Sequence, residues 1–203
     1  MMTNDPGLAV MKALDSGVRT QSTADLEEIG CRVQTSGNRG AGSGHNGQYW
    51  PVWAHIARAE SEAPGHASVL HTLYAPTEEE ANRWIDVMHE VVVSMMASIV
   101  PDWNDLRQKK RDQISWLAFA AIVERRNDLE RARPAWQPER YRYYLAEHHG
   151  VSLPQHNWQR DWAPFLIAAQ ACIEKAEDAA LNPLSAIIRS ENQKGWQEVL
   201  KAA

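Results

Sequence analysis

TEEEANRWIDVMHEVVVSMMASIVP, residues 77–101, and DWNDLRQKKRDQISWLAFAAIVERRNDLERARP, residues 102–134, decide the fold. Thr77 followed by Glu80 has capping-box spacing, and the three glutamates at 78–80 suit the positive end of a helix dipole. Ala81, Trp84, Ile85, Met88, Val91, Val92, Met95, Met96 and Ile99 recur at three and four, the helical period. Val91-Val92-Val93 is a strand-like run, but the helical period persists on both sides of it. Pro101 ends the helix by removing an N–H and restricting Val100. Asp102 is placed to cap a second helix, whose face carries Trp103, Leu106, Ile114, Leu117, Ala118, Ala121, Ile122, Arg125 and Leu129. Its first half is polar and predicted wet; Ile114–Val123 is almost wholly apolar and predicted wrapped on several sides. Pro134 closes it. Two long helices joined by one short connection predict an antiparallel pair.

Outward from this pair the chain reads as helical throughout. Asp5-Pro6 opens a short helix carrying Leu8, Met11 and Leu14, and Ser22–Ile29 reads as another. Five glycines between Gly37 and Gly47 predict a flexible loop over 35–48. Gly42-Ser43-Gly44-His45-Asn46-Gly47 has the dinucleotide spacing but no strand before it, and a phosphate loop would need Gly-Lys-Ser/Thr. Tyr49–Glu62 and His66–Tyr74 read as short helices, the latter with Leu70 and Leu73 inward. Pro138 starts a helix ending near Gly150. An alanine-rich helix follows from about Asp161 to Ala180, Asn182-Pro183 starts another, and Gly195 interrupts it. The expected fold is all-α: one compact multi-helix domain on an antiparallel pair of long helices. Its expected segments are short N-terminal helices over 1–34, the glycine loop over 35–48 and a helical domain over 49–203.

The formal net charge is −5, which disfavours coating nucleic acid through the overall field. The charge is uneven, however: residues 102–142 carry ten basic and seven acidic side chains. Cys31 and Cys172 are too few for a disulfide framework, and no secretion signal or membrane span is read, so a cytoplasmic protein is expected. Nine tryptophans against two phenylalanines place many indoles at helix junctions or an interface.

No catalytic motif rises above background, and no cofactor is expected. Asp86 and His89 have the i, i+3 spacing of one quarter of a carboxylate-bridged di-metal bundle, with the other quarters missing. His148, His149 and His156, near Asp161, are the densest histidine group and the candidate ligands of a metal-dependent enzyme, one alternative reading. A helix-turn-helix can be laid over Tyr141–Trp162 on Ala146, Gly150 and Leu153, although Pro154 falls where its second helix should run; direct DNA or RNA binding is the other alternative. The favoured reading is a non-catalytic binding or regulatory protein in transcription or nucleic-acid metabolism, meeting a protein partner through a basic and aromatic surface: Arg125, Arg126, Trp136, Arg140, Tyr141, Arg142, Tyr144 and Arg160. Trp, Tyr and Arg are the residue types that anchor interfaces. The competing expectation is that these aromatics seal a helix junction while the arginines lie over them. In style the chain is similar to accessory proteins of bacteria and their phages, a likeness carried by no motif.

Overall fold

The computed structural model describes residues 2–15, 47–131 and 135–202. The expected helix at Ser22–Ile29, Cys31 and nearly all of the glycine loop lie outside them. Among the described residues there are eight α-helices and no strand, so the fold is all-α. They are α1 (Pro6–Leu14), α2 (Trp50–Glu62), α3 (Pro64–Tyr74), α4 (Glu78–Ile99), α5 (Gln108–Arg131), α6 (Pro138–His149), α7 (Trp158–Asp161) and α8 (Ala163–Ala202). No helix among the described residues is long and apolar enough to cross a membrane. The chain groups into two compact units, Met1–Glu62 with Leu181–Ala203, and Ala63–Ala180.

In the first unit, Asp5 caps α1: its carboxylate accepts from the N–H groups of Gly7 at 2.9 Å and Leu8 at 3.2 Å. α1 buries Ala9, Val10, Ala13 and Leu14, and packs on α2, which buries Val52, Ile56 and Ala59. Asn192 closes the unit by accepting from the Met2 N–H at 2.8 Å and donating to the Met2 carbonyl at 3.1 Å.

The second unit holds the long pair, with two revisions. Asp102 takes a left-handed conformation at φ 55° and makes no side-chain cap, so a short 3-10 turn over Trp103–Asp105 intervenes and α5 begins only at Gln108. The capping box at Thr77 is half formed. Thr77 Oγ1 accepts from the Glu80 N–H at 3.3 Å, but the Glu80 carboxylate turns to His71 Nδ1 at 3.2 Å. α4 buries a single stripe, Ala81, Ile85, Met88, Val92 and Met96. The apolar half of α5 buries Ile114, Leu117, Ala118, Ala120, Ala121 and Ile122.

α4 rests on α5, but its widest contact is with α3. Every residue of α3 from Ala67 to Tyr74 is buried, not Leu70 and Leu73 alone. Its polar members are matched locally where the chain allows it: Ser68 Oγ donates to the Gly65 carbonyl at 2.8 Å, and His71 stacks on Trp84 at 5.1 Å besides meeting Glu80. Glycine at 65 lets α3 approach α4, since a Cβ there would lie 3.2 Å from Val91 Cγ2.

The alanine-rich helix runs on where a break was expected. α8 spans 40 residues, with Pro183 and Gly195 inside it. A proline inside a helix loses one hydrogen bond and crowds the preceding turn, at a cost of about 3 kcal/mol. The buried series Ala176, Ala180, Leu184, Ile188 keeps one i, i+4 stripe through the proline, and that burial offsets the loss.

Candidate binding face and its buried supports

α6 starts with Pro138 at its first turn and ends at Gly150, whose φ of 65° is the left-handed conformation glycine accepts most readily. It buries Tyr141 and Leu145 completely. Around this helix Trp136 packs on Tyr141 at 5.4 Å and on Tyr144 at 5.3 Å. Trp136, Trp158 and Trp162 are all less than 9% exposed, so most aromatics of 136–162 seal helix junctions.

Two buried carboxylates hold this region. Glu124 on α5 accepts from the Trp136 backbone N–H, from the Tyr141 hydroxyl and from Gln170 Nε2 at 3.3 Å. Burial, together with this carboxylate, pushes the Tyr141 phenol far above its ordinary range, so it stays a donor. Glu177 on α8 accepts from the Tyr74 hydroxyl and from Arg125, whose Nε and Nη2 each lie 3.0 Å from Oε2.

The expected basic surface is therefore thinned from within. Arg125 is spent on Glu177 and on Asp128 at 3.6 Å. Arg142 Nε donates to the Leu153 carbonyl at 3.0 Å. Lys110 Nζ donates to the Asp161 carbonyl at 2.9 Å and sits 3.2 Å from the centre of the Trp162 ring; burial lowers its pKa, partly offset by Asp161. Tyr141, expected on the surface, is fully buried because its hydroxyl has the Glu124 carboxylate as partner; Trp136 is buried with it. Arg126 is half-buried beside Asn127 in the wall of a cavity between α4 and α5. Tyr144 is half-buried as well.

What reaches solvent is Arg140, stacked 4.6 Å from the Trp136 ring, and Arg160, bound to its neighbour Asp161 at 2.7 Å. Tyr143, which the sequence reading did not single out as a site residue, is the most exposed large apolar side chain here at 68%. Its signal was its position two residues from Tyr141, on the side of α6 opposite the buried pair.

The histidines divide differently. His149 stacks on Trp116 at 4.4 Å and meets Phe119 edge-on at 5.0 Å; His148 and His156 are exposed. His89 faces the Ser115 carbonyl at 2.8 Å, while Asp86 points to solvent. Among the described residues no three His, Cys, Asp or Glu side chains are placed to share a metal ion. The helix-turn-helix is likewise not formed: residues 150–157 are not helical, and α7 has four residues, too short to be a recognition helix.

Burial lowers the pKa of His149, and His148 and His89 lower it further. The unfolded chain, with an ordinary imidazole near 6.5, therefore binds this proton before the folded one does. The stability His149 contributes is present above that pH and is lost as pH falls through the depressed folded value. His149→Gln is expected to narrow the drop in melting temperature between pH 7.5 and pH 5. Thermal unfolding followed by circular dichroism at the two pH values checks this; equal drops for both proteins would show that His149 does not carry it.

Comparison with protein-family models, curated protein sequences and solved structures finds no match.

Proposed function

We propose that this chain is a non-catalytic binding protein that meets a protein partner through the outer side of α6. The observation that carries the reading is Tyr143, 68% exposed, one turn from an arginine held over a tryptophan ring. Exposed aromatic and guanidinium groups on a rigid support lose little freedom on binding and are the commonest anchors of protein interfaces. Tyr141 and Leu145 fix the helix from below, so both anchors are pre-positioned. A setting in transcription or nucleic-acid metabolism rests on composition. Direct nucleic-acid binding has less support, since Lys110, Arg125 and Arg142 are engaged inside the unit.

Affinity capture from an extract of the source cells, divided and treated or not with nuclease, tests the proposal. Arg140→Glu with Tyr143→Ala is expected to lower capture of a nuclease-resistant partner by about tenfold or more, as for two interface anchors. The melting temperature should stay close to that of the unaltered protein, because neither side chain is buried. Undiminished capture by the double variant would overturn the site. Loss of the captured material on nuclease treatment would move the reading to nucleic acid.

A further inference from the structure

Thr72 of α3 is completely buried, and its Oγ1 has no hydrogen-bond partner. Buried hydroxyls are nearly always bonded. Thr72 lines a cavity of about 190 Å³ between α4 and α5, with Tyr144 of α6 on a further side. An orphan hydroxyl in a cavity wall points to a group that arrives from outside. The volume is below the roughly 300 Å³ at which drug-sized ligands begin, and above the roughly 150 Å³ that holds benzene.

The other polar side chains of the lining are already served. Glu78 and Asn82 are exposed to solvent, and Arg126 already interacts within the protein. Asn127 Nδ2 donates to the Val123 carbonyl at 2.8 Å, and the Tyr144 hydroxyl lies 3.5 Å from His149 Nε2. The fully buried part of the lining is Thr72 with Ile85 and Ile122, and the half-buried Phe119 extends its apolar wall. An ion placed there would lose its hydration and gain no counter-charge. A buried water needs roughly two to four polar partners, and this part of the lining offers one hydroxyl. What suits it is a neutral, mostly apolar molecule with a single polar group.

We infer that this cavity is a binding site for a small neutral aromatic molecule with one hydrogen-bonding group, in chemical class a phenol. Its ring lies against Ile85, Phe119 and Ile122, where Phe119 offers an aromatic neighbour. Its hydroxyl meets Thr72 Oγ1, which can both donate and accept. Beyond the roughly 150 Å³ that holds benzene, the remaining space takes one or two small substituents on the ring. No charged side chain takes part in the recognition. The site is independent of the partner face on α6, and either assignment stands if the other fails.

Titration calorimetry of the full chain with p-cresol and with toluene, which differ by the hydroxyl alone, tests it. p-Cresol is expected to give a saturable heat and to bind at least as tightly as toluene, although its hydroxyl costs more to take out of water. Thr72→Val keeps the shape of the side chain and removes its hydroxyl. In that variant the ratio of p-cresol to toluene affinity should fall by about tenfold or more, the equivalent of one lost polar contact. The loss should lie with p-cresol, toluene binding as before or more tightly. Should the variant fail to fold, the comparison of the two ligands on the unaltered protein decides alone. Absence of a saturable heat with p-cresol would leave solvent as the partner of Thr72 and overturn the inference. So would tighter binding of toluene by the unaltered protein, or an unchanged affinity ratio in the variant.

Discussion

Glu124→Ala is expected to lower the free energy of unfolding by about 3–5 kcal/mol, because it strands several buried donors at once. The carboxylate is 8% exposed and takes the Trp136 backbone N–H, the Tyr141 hydroxyl and the Gln170 amide. Each buried donor left without an acceptor costs about 1–3 kcal/mol, and part of that is recovered where water can enter. Glu124→Gln should cost much less, since its amide oxygen still accepts from one donor and the Tyr141 hydroxyl can rotate to accept from its NH₂. Urea denaturation followed by circular dichroism checks both. A cost for the alanine variant below about 1 kcal/mol, the value of one ordinary hydrogen bond, would remove Glu124 from the supports of α6.

Glu177→Ala is the second large effect, about 2–3 kcal/mol. It leaves the Tyr74 hydroxyl, on a residue only 6% exposed, and the Arg125 guanidinium without their shared carboxylate. The Arg125 side chain is a third exposed and keeps Asp128 at 3.6 Å, so solvent and that neighbour soften the loss. The double variant with Tyr74→Phe should recover part of the cost, since the hydroxyl that lost the Glu177 carboxylate is removed with it. No recovery would mean that the Tyr74–Glu177 bond does not carry the cost.

The helices themselves were legible in sequence, because periodicity and proline punctuation are local. The starts of α1 and α4 follow from Asp5-Pro6 and Thr77 and from nothing further away. Where the reading missed, a distant partner decided. Nothing in the sequence beside Tyr141 says that its hydroxyl will find Glu124 seventeen positions earlier, so an aromatic among arginines looked like surface. The arginines misled for the same reason: Arg125 meets Glu177, 52 positions away. Pro183 reads as a boundary by local rules, and only the buried stripe on both sides carries α8 through it. α3 was legible as a helix from His66 to Tyr74, but with only Leu70 and Leu73 inward, because burial on every side depends on neighbours far away in the chain.

The narrow gap at Gly65 bears on how this chain can diverge. Position 65 and position 91 draw on one fixed space, since a methyl group at the first lies 3.2 Å from the Val91 side chain. Val91 is half-buried and has limited room to move aside. The two positions therefore share one volume: alanine at 65 keeps the same helix spacing only where the residue at 91 is smaller or gives by a few tenths of an ångström. Kinship with this fold would leave its trace in that traded volume sooner than in the identity of either residue.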